Sequence, residues 1–514
     1  MTALIIHGHF YQPPRENPWT GMVETELSAA PFHDWNERIH SECYAPNALV
    51  PNGDSATADT LTNNYTNISF NFGPTLMSWL ESNHPDTYAR IIKADCESAL
   101  KRSGHGNAIA QAFGHAILPL CNERDLRTQI RWGLADFRYR FGREPAAMWL
   151  PETACNDTVM GALIDEGLRY VILAPHQASR VDQSDSRSEL AGAATPKWEK
   201  VNEQTLDTGV AYRYLHRDGS GRSIAACFYD GPTSRAIAFE HLLRSSQGLV
   251  ERLARAAHNR EMVNVATDGE TYGHHFKFGE LCLAHALEVD APARGFSVTN
   301  YGEYLEKHPP TIKVEINNGL NGEGTSWSCV HGVGRWIRDC GCHTGGEPGW
   351  NQRWRTPLRQ ALDYLRDENI GYFESNSRFQ DPWQARDDSI ALILDRNHSR
   401  EQFIFKHAGQ WLSADEHWRA LTYLELQRML LLMYTSCGWF FNDISGIETI
   451  QILKYAARAI DLMEQLGLPP VSDRFLEILS EAHSNRPEIG TGADLYRQFV
   501  EPLKSSSSAE KMLA

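Results

Sequence analysis

Short apolar runs that end abruptly in polar, titratable residues constrain this chain more than any other feature. Ala3–Ile6 runs into His7 and His9, and Ala108–Phe113 into Gly114 and His115. Ala146–Leu150 runs into Pro151 and Glu152, Tyr170–Ala174 into Pro175 and His176, and Met262–Thr267 into Asp268 and Glu270. Helical patterns separate these runs. Continuous apolar strands alternating with helices predict a parallel sheet covered on both faces. Titratable residues just past strand ends are where β/α-barrel enzymes keep their chemistry. An open doubly wound sheet also uses its strand ends. However, Gly332-Val333-Gly334 lacks the third glycine and the preceding strand of a dinucleotide site. The expected fold class is therefore α/β.

At 514 residues the chain exceeds one ordinary core. From about Thr311 Gly and aromatic residues dominate, and after Trp354 helical periodicity takes over. Glu416–Tyr434 and Ile447–Leu466 read as long amphipathic helices. The expected layout is a barrel over residues 1–310 with a polar insertion near 182–221, a helical domain over 311–504, and a solvated, disordered tail over 505–514. A net charge of −16 argues against nucleic acid and anionic membranes as partners. The start, Met-Thr-Ala-Leu-Ile-Ile-His, is not a signal peptide, and the ten scattered cysteines read as reduced thiols. Both point to the cytoplasm.

Four stretches carry candidate chemistry. Glu152 follows a buried strand with Trp149 three residues before it, placing a nucleophile beside a sugar-stacking face; a dipole-favoured carboxylate at a helix start is the alternative. Asp268, Glu270, His274 and His275 lie within eight residues beside glycines, where the alternative is a capping Asp and a solvated turn. His7 and His9 alternate at a strand end and so share one side, able to bind a metal or hydrogen-bond sugar hydroxyls unless they are ordinary core histidines. Cys329, His331, Cys340, Cys342 and His343 raise the question of zinc. Their spacing lacks the Cys-x2-Cys knuckles of structural sites, so they are read as buried free thiols and no metal is expected.

Together these stretches resemble glycoside hydrolase family 57, the amylases, 4-α-glucanotransferases and branching enzymes that act on α-glucans. The family's His-x-His with Gln-Pro is matched by His7, His9, Gln12 and Pro13, and its Gly-His by Gly114-His115. Its Trp-x-x-Glu is matched by Trp149 and Glu152, and its Asp-x-Glu with a downstream Gly by Asp268, Glu270 and Gly273. Ser326-Trp327 and His331-Gly332-Val333-Gly334 look like a looser fifth motif. The remaining part, marked by Asp339-Cys-Gly-Cys342, Gly345–Trp350 and Ser436–Asp443, resembles a branch of the family with a distinctive helical carboxy-terminal domain.

The resemblance implies an incomplete (β/α)7 barrel followed by an α-helical domain that completes the cleft, and no cofactor or metal in the reaction. It implies a retaining double displacement on an α-glucan or maltooligosaccharide, with Glu152 as nucleophile and Asp268 as acid/base. His7, His9, Gln12, His115, Glu270, His274 and His331 would then contact sugar hydroxyls, and Trp149, Trp327 and Trp439 would stack on sugar rings. Two other readings stand beside it. One is a metal-dependent carbohydrate deacetylase or mannosidase-like hydrolase with His7, His9, Asp268 and His274 as ligands. The other is a non-catalytic glucan-binding protein.

Overall fold

The computed structural model describes residues 1–51, 61–184 and 197–504. Residues 185–196 of the expected polar insertion, and the expected tail over 505–514, lie outside the described residues. The chain is a mixed α/β protein whose carboxy-terminal part is helical. It divides into two compact units. The first comprises residues 1–12, 25–112 and 137–327, and the second residues 13–24, 113–136 and 328–514.

The first unit is built on short parallel strands. These are β1 (Thr2–Phe10), β2 (Ser69–Phe72), β3 (Ala110–Gln111), β4 (Met148–Trp149), β5 (Tyr170–Leu173), β6 (Ser223–Phe228), β7 (Met262–Asp268) and β8 (Phe296–Val298). Strand β1 pairs with β7 along its length, from Ala3 opposite Met262 to His9 opposite Asp268. On its other edge it pairs first with β8 and then, from His7 onward, with β2. Bridges at Phe70–Ala108 and Ala147–Tyr170 continue the parallel order from β2 to β3 and from β4 to β5, while β3 pairs β4 and β5 pairs β6. The amide of Asp230, just past β6, donates to Asn264 O of β7 at 2.8 Å.

Every residue of β1 from Leu4 to Phe10 is buried, as expected of a strand covered on both faces. Its core neighbours include Ile109, Trp149, Tyr170, Ile172, Met262 and Tyr301. Helices follow the strands, and the amphipathic Pro85–Lys101 shows how they are anchored. Buried Asp95 at its inner face accepts hydrogen bonds from the Ala108 amide (2.7 Å) and from Arg143 (2.8 Å), tying this helix to the strand region. Antiparallel additions decorate the unit: Ala211–Leu215 pairs β6, and Ala178–Asp182 pairs both Trp198–Lys200 and Val314–Ile316.

In the second unit the expected long helices are Ala414–Leu432 and Ile447–Gln465, packed with Arg355–Asn376. The first of them starts at a capping box, Ser413 with Glu416, which satisfies two exposed amides at its amino end. The segments 13–24 and 113–136 belong here through polar contacts with these helices. Trp19 Nε1 donates to Asp461 at 2.7 Å, and Lys454 pairs with Glu24 at 2.9 Å. Arg386, buried, donates to Asp125 and to Thr128 Oγ1, each at 2.7 Å. No helix among the described residues is long and apolar enough to cross a membrane.

The Arg386–Asp125 pair is almost wholly out of water, so removing one partner leaves the other charge buried and uncompensated. Asp125→Ala is expected to lower unfolding stability by roughly 3–5 kcal/mol. The double variant Asp125→Ala/Arg386→Met should regain most of that loss, read as denaturant midpoints. A loss in the double variant as large as in the single one contradicts this account.

Candidate active site

The site begins with β1. Alternate residues of a strand point to one side, so His7 and His9 project together, and both rings stack on Trp149 with centroids 4.8 and 4.9 Å away. Their hydrogen bonds are organised by Asn71 on the neighbouring β2. His7 Nδ1 meets Ser69 Oγ at 3.0 Å, and His7 Nε2 donates to Asn71 Oδ1 at 3.1 Å. Asn71 Nδ2 in turn donates to His9 Nδ1 at 2.9 Å and to Gln111 Oε1 at 2.7 Å. An imidazole nitrogen that accepts carries no proton, so His9 is neutral with its proton on Nε2. Burial pushes the His7 pKa down to about 3, so it too is neutral.

Glu152 sits one residue past Pro151 in a left-handed backbone conformation, φ 58° and ψ 21°. For a residue with a Cβ this costs of order 1–3 kcal/mol and persists only where the surroundings enforce it. Trp327 enforces it from both ends of the residue. Its backbone amide donates to Glu152 O at 2.9 Å, and its indole Nε1 donates to Glu152 Oε2 at 2.9 Å. The clamp is itself fixed, because Thr325 and Cys155 exchange backbone hydrogen bonds, buried Gln177 donates to Thr153 O and Thr325 O, and His176 donates to Ser326 O. The Trp327 ring also meets Trp149 edge-on, with centroids 5.1 Å apart.

Asp268 ends β7 directly beside His9. Solvent reaches its carboxyl, but protein crowds it on its remaining sides. Loss of hydration, then the negative charges of Glu270 and Glu152, hold its acid form well above the usual carboxylate range. Glu270 is different in kind. It is buried, and its Oε1 accepts from Tyr44 Oη at 2.6 Å and from the Tyr11 amide at 3.0 Å. Burial raises its pKa to about 7 against the lowering effect of those donors. Between the two acids only glycine fits, because a Cβ on Gly269 would lie 2.3 Å from the Phe10 ring.

The sequence candidates therefore separate. The structure brings His7, His9, Trp149, Glu152, Asp268, Glu270 and Trp327 together in the first unit. Gln12 lies nearby along the chain and donates to Tyr11 O at 3.1 Å. His274 is turned to Glu42, with which it pairs. His115 belongs to the second unit, where its buried ring meets Ser436 Oγ at 2.7 Å. Trp439 is fully buried in that unit, where the Arg359 guanidinium packs against its ring and against that of Tyr434. His331 joins the cysteine cluster of the same unit. Sequence reasoning missed Ser69, Asn71, Gln111, Gln177 and Tyr44, which hold the site without facing its chemistry. The polar pair spaced by two in Ser69-Phe70-Asn71-Phe72 was the available signal.

Comparison with known proteins bears on the family and the fold. The profile of glycosyl hydrolase family 57 matches residues 4–316, and that of a domain of unknown function, DUF3536, matches residues 350–512. Alpha-amylase 1 of Dictyoglomus thermophilum is 27% identical over 107 residues, a stretch that is 21% of this chain and 15% of that protein. The chain thus spans under a sixth of the length of that curated relative. Among solved structures, an exo-type maltose-forming amylase from Pyrococcus sp. ST04 has a TM-score of 0.67 at 13% identity, covering 100% of this chain and 94% of its own. The branching enzyme of Pyrococcus horikoshii has a TM-score of 0.53 at 14% identity, covering 98% and 96%. At these identities the likeness is one of fold. The family match, which covers more than half of the sequence, goes further: this chain belongs to glycosyl hydrolase family 57.

Proposed function

We propose that this protein is a retaining glycoside hydrolase or transglycosylase acting on α-1,4-linked glucose chains, with Glu152 as nucleophile and Asp268 as acid/base. The observation that carries the reading is the pairing of one carboxyl held as an acid, Asp268, with a second carboxylate, Glu152, whose negative charge helps to hold it so. In the first step Glu152 attacks the anomeric carbon while Asp268 gives its proton to the leaving oxygen. In the second, Asp268 takes a proton from water or a sugar hydroxyl, which displaces Glu152. His9, beside Asp268 on the paired strands, and Trp327, bonded to Glu152, help to position the sugar between the two acids. The parallel neighbours from β7 through β1, β2, β3, β4 and β5 to β6, with Asp230 bonded back to β7, support an incomplete (β/α)7 barrel as the scaffold. An amylase, a glucanotransferase and a branching enzyme among the structural relatives support the glucan class. The metal-dependent alternative is disfavoured by His7, both of whose ring nitrogens are committed to Ser69 and Asn71.

Incubation with maltooligosaccharides, amylose and glycogen tests the proposal, with the first-formed anomer followed by NMR. The α-anomer is expected from the parent. Glu152→Gln should lose at least about a thousandfold in kcat/KM, and Asp268→Asn about a hundred- to ten-thousandfold. Near-parental activity in either variant, or a β-anomer product, sinks that assignment.

A pH profile distinguishes Asp268 from Glu270. The acid must be protonated, so activity falls as pH rises through the Asp268 pKa. The Glu270 charge raises that pKa, so Glu270→Gln, whose amide oxygen can still accept from Tyr44 and Tyr11, should move the alkaline limb to lower pH while leaving activity below it largely intact. Stability carries a second signature. An acid whose folded pKa is about 7 and whose ordinary value is 4.5 stabilises the fold below pH 4.5, and that contribution is lost as pH rises through about 7. Glu270→Gln should therefore gain stability relative to the parent between those pH values, by about 3 kcal/mol at most. A limb that stays put or moves to higher pH contradicts the assignment of Asp268 as the acid.

A further inference from the structure

Residues 317–349 fall between the two family matches, and they contain a side-chain cluster that the proposed reaction does not use. Cys329 Sγ lies 3.8 Å from Cys340 Sγ and 3.7 Å from Cys342 Sγ, and Cys342 Sγ lies 3.4 Å from His331 Nδ1. All four ligand atoms are within 4.8 Å of one another. A single zinc ion has bonds of about 2.3 Å to sulfur and about 2.0–2.1 Å to nitrogen. At the tetrahedral angle those bonds place two sulfurs about 3.8 Å apart and a sulfur and a nitrogen about 3.6 Å apart. The thiols thus stand at the edge lengths of a one-ion tetrahedron. A disulfide needs its sulfurs at about 2.05 Å. We propose that Cys329, His331, Cys340 and Cys342 form a structural zinc site, Cys3His in composition, within the second unit.

The surrounding chain is built for that geometry. The ligands come as Cys-x-His and Cys-x-Cys, eight residues apart, and Gly334 lets the two pairs approach, since a Cβ there would lie 3.1 Å from Cys340 Cβ. Gly341, between the two later thiols, takes φ +80°, a conformation that an L side chain rarely adopts. Charge agrees as well. Three thiolates and one Zn²⁺ leave a net −1, and two buried guanidiniums stand beside the cluster. Arg355 donates to Cys342 O, Trp439 O and Phe441 O, and Arg335 donates to Phe440 O and Ser328 O. Each reaches only backbone carbonyls through these bonds, so an anionic centre supplies the missing counter-charge. With all four positions filled by protein, the ion has no open site for water or substrate, and its role is to fix the loop between Cys329 and Cys342.

The test uses the full chain purified under reducing conditions. Elemental analysis is expected to find about one zinc per chain. Protein stripped with a chelator and reloaded with Co²⁺ should show the intense visible bands of tetrahedral cobalt and the near-ultraviolet thiolate charge-transfer band. Cys340→Ser/Cys342→Ser should lose both metal and bands. His331→Cys gives a check that does not depend on a damaged site: metal should be kept, and the thiolate band should rise by about one third as three thiolates become four. Less than about a tenth of an equivalent of zinc together with no cobalt spectrum overturns the proposal. So does a Cys329–Cys340 or Cys329–Cys342 disulfide in the reduced preparation, found by mass spectrometry. An unchanged cobalt spectrum in His331→Cys overturns the four-ligand assignment.

Discussion

The pairing register between β1 and β7 decides where the chemistry of the first unit lies. With Ala3 opposite Met262, the alternation of side chains brings His9 level with Asp268 and His7 level with Ala266. A slip of one residue would turn both histidines to the other face of β1 and take His9 away from the acid. The register is held by burial, since β1 is covered on both faces and cannot shift without exposing Leu4, Ile5 or Ile6. Once it is set, the rest follows by contact. His9 stacks on Trp149, Trp149 meets Trp327, and Trp327 clamps Glu152 at backbone and carboxylate. Glu152 and Asp268 end strands far apart in sequence, yet each is fixed to the same stack of rings.

That stack is electrically neutral, and its neutrality matters. Three carboxyls, those of Glu152, Asp268 and Glu270, are close enough to feel one another. A protonated histidine among them would stabilise the carboxylate of Asp268 and draw its proton away. Burial prevents this at His7, and Asn71 prevents it at His9, whose Nδ1 accepts from the Asn71 amide and so carries no proton. Tyr44 and the Tyr11 amide meanwhile hold the Glu270 carboxyl in place and favour its charged form against the burial that raises its pKa. The repulsion among the acids therefore falls on Asp268, the carboxyl best placed to answer it by keeping a proton.

Much of this was legible in the sequence, and what was not has identifiable causes. Polar residues after apolar runs marked the ends of β1, β4 and β7, because a strand end is where a buried run must meet solvent. Ser69, Asn71 and Gln111 stayed hidden because polar residues in short strands read as surface, whereas here they face inward and satisfy one another. From its sequence context Trp327 reads only as a stacking platform. Its clamp on Glu152 spans 175 residues of sequence, which no local pattern can encode. His115 and Trp439 lie in the second unit, one bonded to Ser436 and the other buried against Arg359, surroundings that local sequence does not reveal. The nearness of Cys329 to Cys340 and Cys342 was likewise hidden, because it is set by the turn of the chain between them rather than by local spacing.

The two units are interleaved along the chain, and that changes what a domain boundary means here. Residues 13–24 follow β1 almost directly, and residues 113–136 follow β3, yet both are held by hydrogen bonds to the carboxy-terminal helices, through Trp19 with Asp461 and Arg386 with Asp125. The helical unit cannot complete its buried ion pair from residues 350–512 alone, since Asp125 comes from far upstream. The chain leaves the first unit and returns to it after each of these segments, so the strands on either side, β1 before one and β3 and β4 around the other, are set by a fold that already includes their detours. A cut near residue 310 or 316 would strip each unit of partners it does not encode contiguously. Ordered folding of the carboxy-terminal helices is therefore tied to segments that emerge among the earliest parts of the chain.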